Sequence, residues 1–168
     1  MRRIRTDRGQ ATVEFVLLFP FAMLLFLFLI EFGFVMYEDI TVNNSAREAA
    51  RFAAVAHLPN ATVGVCNPGD YLSIEERAVE ASGNVLTCDE ITVGYIALNG
   101  DGLLSRGDAV VVEITHEYTG KTGLTELASV FSFGLIPTSF TMYACSDARL
   151  EAPLNPQPVQ PPVEECGS

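Results

Sequence analysis

The chain has 168 residues, room for one modest domain plus a membrane segment, and its positive mean hydropathy of +0.27 comes mostly from one N-terminal stretch. That concentration excludes a polytopic membrane protein. The net charge of −11, with Lys121 as the one lysine, excludes nucleic-acid binding, because too little positive charge is present to displace phosphate counterions. The acidity reads as a solvated, soluble surface.

Met1–Arg8 runs against the overall charge, with Arg2, Arg3, Arg5 and Arg8 against Asp7. Gly9 and Gln10 follow, then Ala11-Thr12-Val13-Glu14-Phe15 opens an apolar run in which no residue from Phe15 to Ile30 is charged. As a helix the segment to Tyr37 is long enough to cross a bilayer, which takes roughly 20 mostly apolar residues. The basic flank stays cytoplasmic, so the span is expected to run N-in and C-out. A secretory signal peptide is the rival. Its apolar core is usually shorter and ends in a small-residue cleavage site, and no Ala-x-Ala stands at the end of the run here.

One helix is predicted from near Ala11 to about Ala56. Pro20 lies inside it and removes one backbone hydrogen bond, so a kink or local loosening is expected there. Glu31 lies about 25 Å beyond Glu14 along a straight helix, near the outer membrane–water boundary. There its carboxylate is expected to snorkel to water, with helix packing in an assembly as the other possibility. From Glu38 the pattern turns amphipathic. Ala46, Ala49, Ala50, Ala53 and Ala54 form a small face suited to close packing, while Arg47, Glu48 and Arg51 decorate the other side, with Glu48 placed to pair with Arg51. Leu58-Pro59-Asn60 ends the helix, leaving His57 at its C-terminal end, where a cation suits the dipole.

Ser73 with Glu76 has the form of a capping box opening a second helix, Ile74 to about Ala81, stopped by Ser82-Gly83-Asn84. Ile91–Leu98, Ala109–Tyr118 and Thr138–Ala144 read as strands, the first two joined by turn chemistry at Asn99-Gly100-Asp101-Gly102. Leu124–Phe133 fits a short helix or a loop over the sheet. Five of the nine prolines fall in Glu151–Ser168, an extended tail with no core of its own. The expected fold is α+β: a long N-terminal transmembrane and amphipathic helix packed against a small antiparallel sheet head.

Cys66, Cys88, Cys145 and Cys166 all follow the span and form no C-x-x-C pair, so zinc and thioredoxin-type chemistry have little support. An oxidising compartment makes disulfides the default, with three connectivities open. Pairing Cys66 with Cys88 would clip the second helix to its surroundings, worth roughly 3 kcal/mol in the chain-entropy model. Pairing Cys145 with Cys166 would tether the tail. His116 is expected at the surface, with Glu117 on the opposite face of its strand. The Asn99–Asp108 loop lacks the ligand spacing of a calcium site, and no nucleophile–base pair, cofactor motif or metal motif is found.

The basic leader, Gly9, the acid Glu14 with Phe15, the apolar span and the following Asn44-Ser45-Ala46-Arg47-Glu48-Ala49-Ala50-Arg51 together resemble the type IV pilin superfamily, and more narrowly the TadE-like pseudopilins of the Tad (Flp) pilus system. The resemblance covers the first third of the chain. It implies a pilin-like fold and cleavage by a prepilin peptidase between Gly9 and Gln10. It also implies that Glu14 neutralises the new N-terminal amine of a neighbouring subunit during assembly, which is physically reasonable because opposite charges in an apolar bundle are tolerable together and costly apart. The implied partners are the peptidase, an inner-membrane assembly platform and other pilins or pseudopilins. The implied location is the inner membrane or, after assembly, a pilus. The chain then divides into a cleaved leader (1–9), a transmembrane half-helix (10–37), an amphipathic half-helix (38–58), an extracytoplasmic head (59–150) and a Pro-rich tail (151–168). The rival reading is a single-pass anchored binding module that keeps its leader.

Overall fold

The computed structural model describes residues 9–55, 66, 73–98, 104–133, 137–151 and 166–167. The leader before Gly9, the helix stop at 58–60, His57, the turn at 99–102 and most of the Pro-rich tail lie outside the described residues.

The first helix, α1, runs Gln10–Val55 and continues through Pro20. At 1.5 Å per residue its 46 residues extend about 70 Å. Polar residues in its second half are accommodated by back-bonding: Thr41 Oγ1 donates to the Tyr37 carbonyl at 2.7 Å, and the fully buried Ser45 donates to the Thr41 carbonyl at 2.8 Å. The second helix, α2, spans Ile74–Ala81. Its N-cap Ser73 accepts from the Glu76 N–H at 3.0 Å. Its end is closed by Gly83 and Asn84, both at positive φ, with the Asn84 N–H donating to the Val79 carbonyl at 3.1 Å. A 3₁₀ turn, Cys88–Glu90, leads into strand β1, Ile91–Ile96. Strand β2 covers Ala109–Thr119, α3 covers Leu124–Phe131, and β3 covers Ser139–Arg149. The three strands make one antiparallel sheet in the order β1-β2-β3, so the class is α+β.

The chain forms two compact units. One holds α1 up to Met36 together with Thr119–Ser139; the other holds Tyr37–Tyr118 and the chain from Phe140.

The larger unit carries the core. In β1–β2 pairing, Ile91 faces Ile114, Val93 faces Val112 and Tyr95 faces Val110, so alternate residues of both strands share one face. That face joins Ile74, Ala78 and Leu86 and the small residues Val42, Ala46, Ala49, Ala50 and Ala53 of α1. Alanines let the helix backbone approach the sheet closely, as their spacing predicted. At the far end of β3, the Leu150 N–H donates to the Asp108 carbonyl at 2.8 Å, and the Glu151 N–H reaches the Ala54 carbonyl at 3.1 Å. Backbone hydrogen bonds therefore hold the last turn of α1 and both ends of the β2–β3 segment in one folded body.

Three expectations change. Glu48 pairs with Arg77 of α2 at 2.9 Å rather than with Arg51, and Arg77 also binds Glu80 at 2.8 Å. A salt bridge across two packed helices wins over one within a turn because α2 brings the guanidinium into reach. The third strand runs on to Arg149, beyond Ala144, because Leu150 is held by Asp108. His116 is buried; its surroundings are described below.

Candidate functional site

Gly9 is an exposed turn residue at the threshold of α1, and Gln10 is the first helical residue. The Val13 N–H donates back to the Gly9 carbonyl at 3.2 Å, so the helical hydrogen bonding starts at the candidate cleavage point itself. Glu14 is exposed, one turn further on. Side chains on a helix lean toward its N-terminus, and the Gln10 Nε2 amide donates to Glu14 Oε1 at 3.1 Å. Glu14 is thus aimed at the residue whose amine would be released by cleavage of the Gly9–Gln10 bond.

Beyond it the helix is apolar on every side. Phe15, Leu17, Leu18, Phe19, Phe21, Leu25 and further large side chains to Phe34 are exposed, and Phe15 stacks on Phe19 with ring centroids 5.4 Å apart. Exposed apolar patches on soluble monomers rarely exceed a few hundred Å². A helix apolar all round needs lipid or other helices about it. The length and hydropathy of α1 suffice to cross a membrane. The Glu14 carboxylate and the apolar surface are therefore adjacent features of one continuous helix.

Glu31 corrects the expected snorkelling. It is 6 % exposed and faces protein. Its Oε1 accepts the Lys121 N–H at 3.0 Å, and its Oε2 accepts the Thr122 N–H at 2.9 Å as well as the Thr122 hydroxyl. Two consecutive backbone donors and a hydroxyl replace water around the charge, which is what makes its burial affordable. The turn needs its glycines. A Cβ on Gly120 would overlap Thr125 Oγ1, and Gly123, the N-cap of α3, has φ of 72°.

In the larger unit His116 is 8 % exposed and lies between two acids. Its Nδ1 is 2.7 Å from Glu90 Oε1 and its Nε2 is 3.2 Å from Glu38 Oε2. Each ring nitrogen thus lies within hydrogen-bond distance of a carboxylate oxygen. Glu90 also accepts the Thr87 N–H at 2.6 Å and the Thr87 hydroxyl at 2.9 Å. Burial pushes the Glu90 carboxyl upward, but the Thr87 donors and His116 outweigh it and hold it below the ordinary carboxylate range. The acids flank the ring on opposite sides, so the cluster links α1, the 3₁₀ turn and β2 and does not converge on a point where a metal would sit. Among the described residues no group of three or more His, Cys, Asp or Glu side chains is arranged to hold a metal ion.

Asp108 also has a structural role. Its Oδ1 accepts the Leu98 N–H at 2.9 Å and its Oδ2 accepts the Ser105 N–H at 2.6 Å, so it pins both ends of the β1–β2 connection. Disulfides join Cys66 to Cys88 and Cys145 to Cys166, one of the three connectivities open in the sequence. The sequence singles out Gly9, Gln10, Glu14 and Phe15 as candidates but does not point to the partners of Glu31 and His116. For Glu31 the visible signal was a carboxylate set against an apolar run; nothing in the sequence pointed to a turn 90 residues away.

Residues 9–51 match the family described as TadE-like protein. The match covers Gly9, Glu14, the apolar run, Glu31 and the alanine face through Ala50. No curated protein matches the chain, and no solved structure does.

Proposed function

We propose that this chain, TadE-like over residues 9–51 and on that basis a Tad pilus-associated protein, is a structural pseudopilin subunit rather than a catalyst. The observation that carries the reading is the sequence of features along one helix. A glycine stands at the helix start, a carboxylate one turn beyond the candidate new N-terminus leans toward it, and an uncharged surface follows that is exposed on every side. In a precursor that surface lies in the inner membrane with the basic leader inside and the head outside. After a prepilin peptidase cuts the Gly9–Gln10 bond, the Gln10 amine becomes a cation beside carboxylates such as Glu14.

Assembly then exchanges lipid contacts for neighbouring helices, and each amine pairs with the Glu14 carboxylate of an adjacent subunit. Charge pairing in an apolar bundle sets register, because an unpaired amine or acid there is strongly unfavourable. The inner-membrane platform and other pilins are the partners this requires, and an assembly ATPase supplies the work. The folded larger unit, with its disulfides, is the part displayed outside the cytoplasm.

Mass spectrometry of membrane fractions tests the processing step. A mature chain starting at Gln10 only where the prepilin peptidase is present supports it. An intact leader in both samples would reduce the helix to an anchor. Glu14→Ala is expected to insert into the membrane normally and to disappear from sheared filaments; unchanged incorporation would remove Glu14 from the assembly step.

A further inference from the structure

The smaller unit contains a second apolar surface that membrane spanning by α1 does not use. In α3, Leu127 and Val130 are 43 % and 73 % exposed and lie one turn apart on one face, and Phe133, just past the C-cap, is 96 % exposed. Phe133 is also held at φ of 54°, a backbone region ordinarily left to glycine or asparagine. A fully exposed aromatic ring beside two exposed aliphatic side chains is an unusual surface for water.

The depth of this surface follows from Glu31. Ala11 to Ile30 is 20 residues, about 30 Å of helix, the thickness of a bilayer's hydrocarbon core. Glu31 is the next residue, and its carboxylate holds the Lys121 and Thr122 backbone at that level. Gly123 and α3 follow at once, so the helix starts where the span ends. The apolar exposure of α1 also continues past this point at Phe32 and Phe34. Lys121, the only lysine in the chain, has an exposed side chain in the same turn, at the level of lipid headgroups.

We infer that α3 is a membrane-surface helix: Leu127, Val130 and Phe133 enter the headgroup–acyl boundary of the outer leaflet, positioned by the Glu31 clasp. This rests on α1 spanning the bilayer. The occupant of these side chains is lipid, because α3 begins directly after the turn that Glu31 holds at the end of the proposed span. The clasp fixes how far the chain stands out of the membrane before assembly, and these side chains must leave lipid when the subunit is extracted.

The chain has no tryptophan, so a single introduced indole reports its own surroundings. Full-length Phe133→Trp, with Val130→Trp as a second reporter, is reconstituted into phosphatidylcholine–phosphatidylglycerol vesicles with and without brominated acyl chains. Leu18→Trp in the span and Tyr143→Trp on exposed β3 are the controls. The expected result is blue-shifted emission from Phe133→Trp and Val130→Trp that is lost when the bromines lie near the headgroup end of the chains, with Tyr143→Trp unaffected. Glu31→Gln should weaken that loss. Emission from both α3 reporters as water-quenched as that of Tyr143→Trp, while Leu18→Trp is still quenched by lipid, would overturn the inference alone. Lack of lipid quenching of Leu18→Trp would instead overturn the spanning reading beneath it. Blue-shifted α3 emission that bromines do not quench and that disappears on dilution with lipid would show a second copy on α3, also overturning it.

Discussion

The two halves of α1 share one backbone geometry and differ in what their side chains require. Up to Phe34 the helix presents large apolar groups to every side, and the chain itself covers almost none of them. From Val42 to Ala53 the apolar residues other than the half-buried Phe52 are small, confined to one face, and buried to 4 % exposure or less. The first half depends on a solvent other than water; the second depends on a sheet that the same chain builds. Side-chain size decides which is possible, since alanine allows close approach of a strand and phenylalanine holds it off.

That contrast can be broken at the core. Ile114 is fully buried on β2 facing the alanine stripe, so Ile114→Ala is expected to lower the unfolding free energy of the detergent-solubilised chain by about 4 kcal/mol. Leu25→Ala, a truncation of similar size in the exposed half, should leave the same denaturant transition in place. A shared loss would mean that the apolar half packs in the monomer.

A smaller effect is expected at the buried histidine. Removing the ring in His116→Ala leaves the buried Glu38 and the half-buried Glu90 without the side chain that bridges them, at a cost of roughly 3 kcal/mol. Adding Glu38→Gln should restore part of that stability, whereas simple loss of packing would not be rescued. Urea titration of the single and double variants separates the two.

The smallest effect is on alkaline stability, and it belongs to the sheet side alone. Burial, reinforced by the Glu75 carboxylate, pushes the Tyr95 hydroxyl up from 10.0 to about 12. Between those values the unfolded chain has released a proton that the folded chain keeps, so stability falls as pH rises through the window. The loss is between about 2 and 3 kcal/mol, and it is complete only above the folded value. Tyr95→Phe should flatten the thermal-melting profile between pH 10 and 12. An unchanged slope would place the alkaline sensitivity elsewhere.

Much of the architecture was legible because its causes are local. The apolar run, the alanine spacing, the Ser73 cap and the alternation in Ile91–Leu98 and Ala109–Tyr118 each act within a few residues, and the observed elements follow them closely, the strands running Ile91–Ile96 and Ala109–Thr119. Leu124–Phe133 stayed ambiguous in sequence because helical spacing and a loop over a sheet expose the same residues. The candidate assembly residues were legible for the same reason: Gly9, Gln10 and Glu14 lie within two turns of one helix.

The charged residues inside the fold were not. Glu31, Glu48 and His116 could each be satisfied at a surface, by water or by a neighbour, and each is instead matched to a group far along the chain: Lys121 and Thr122, Arg77, and Glu38 with Glu90. The sequence by itself determined the apolar span, the periods of helix and strand, and the location of the acid beside the candidate cleavage point, because hydrophobic pattern and backbone propensity are short-range. Only the tertiary structure decided which carboxylate meets which donor. A buried charge takes whatever partner the packing of distant elements brings within hydrogen-bond reach, and that proximity is not written into any local pattern.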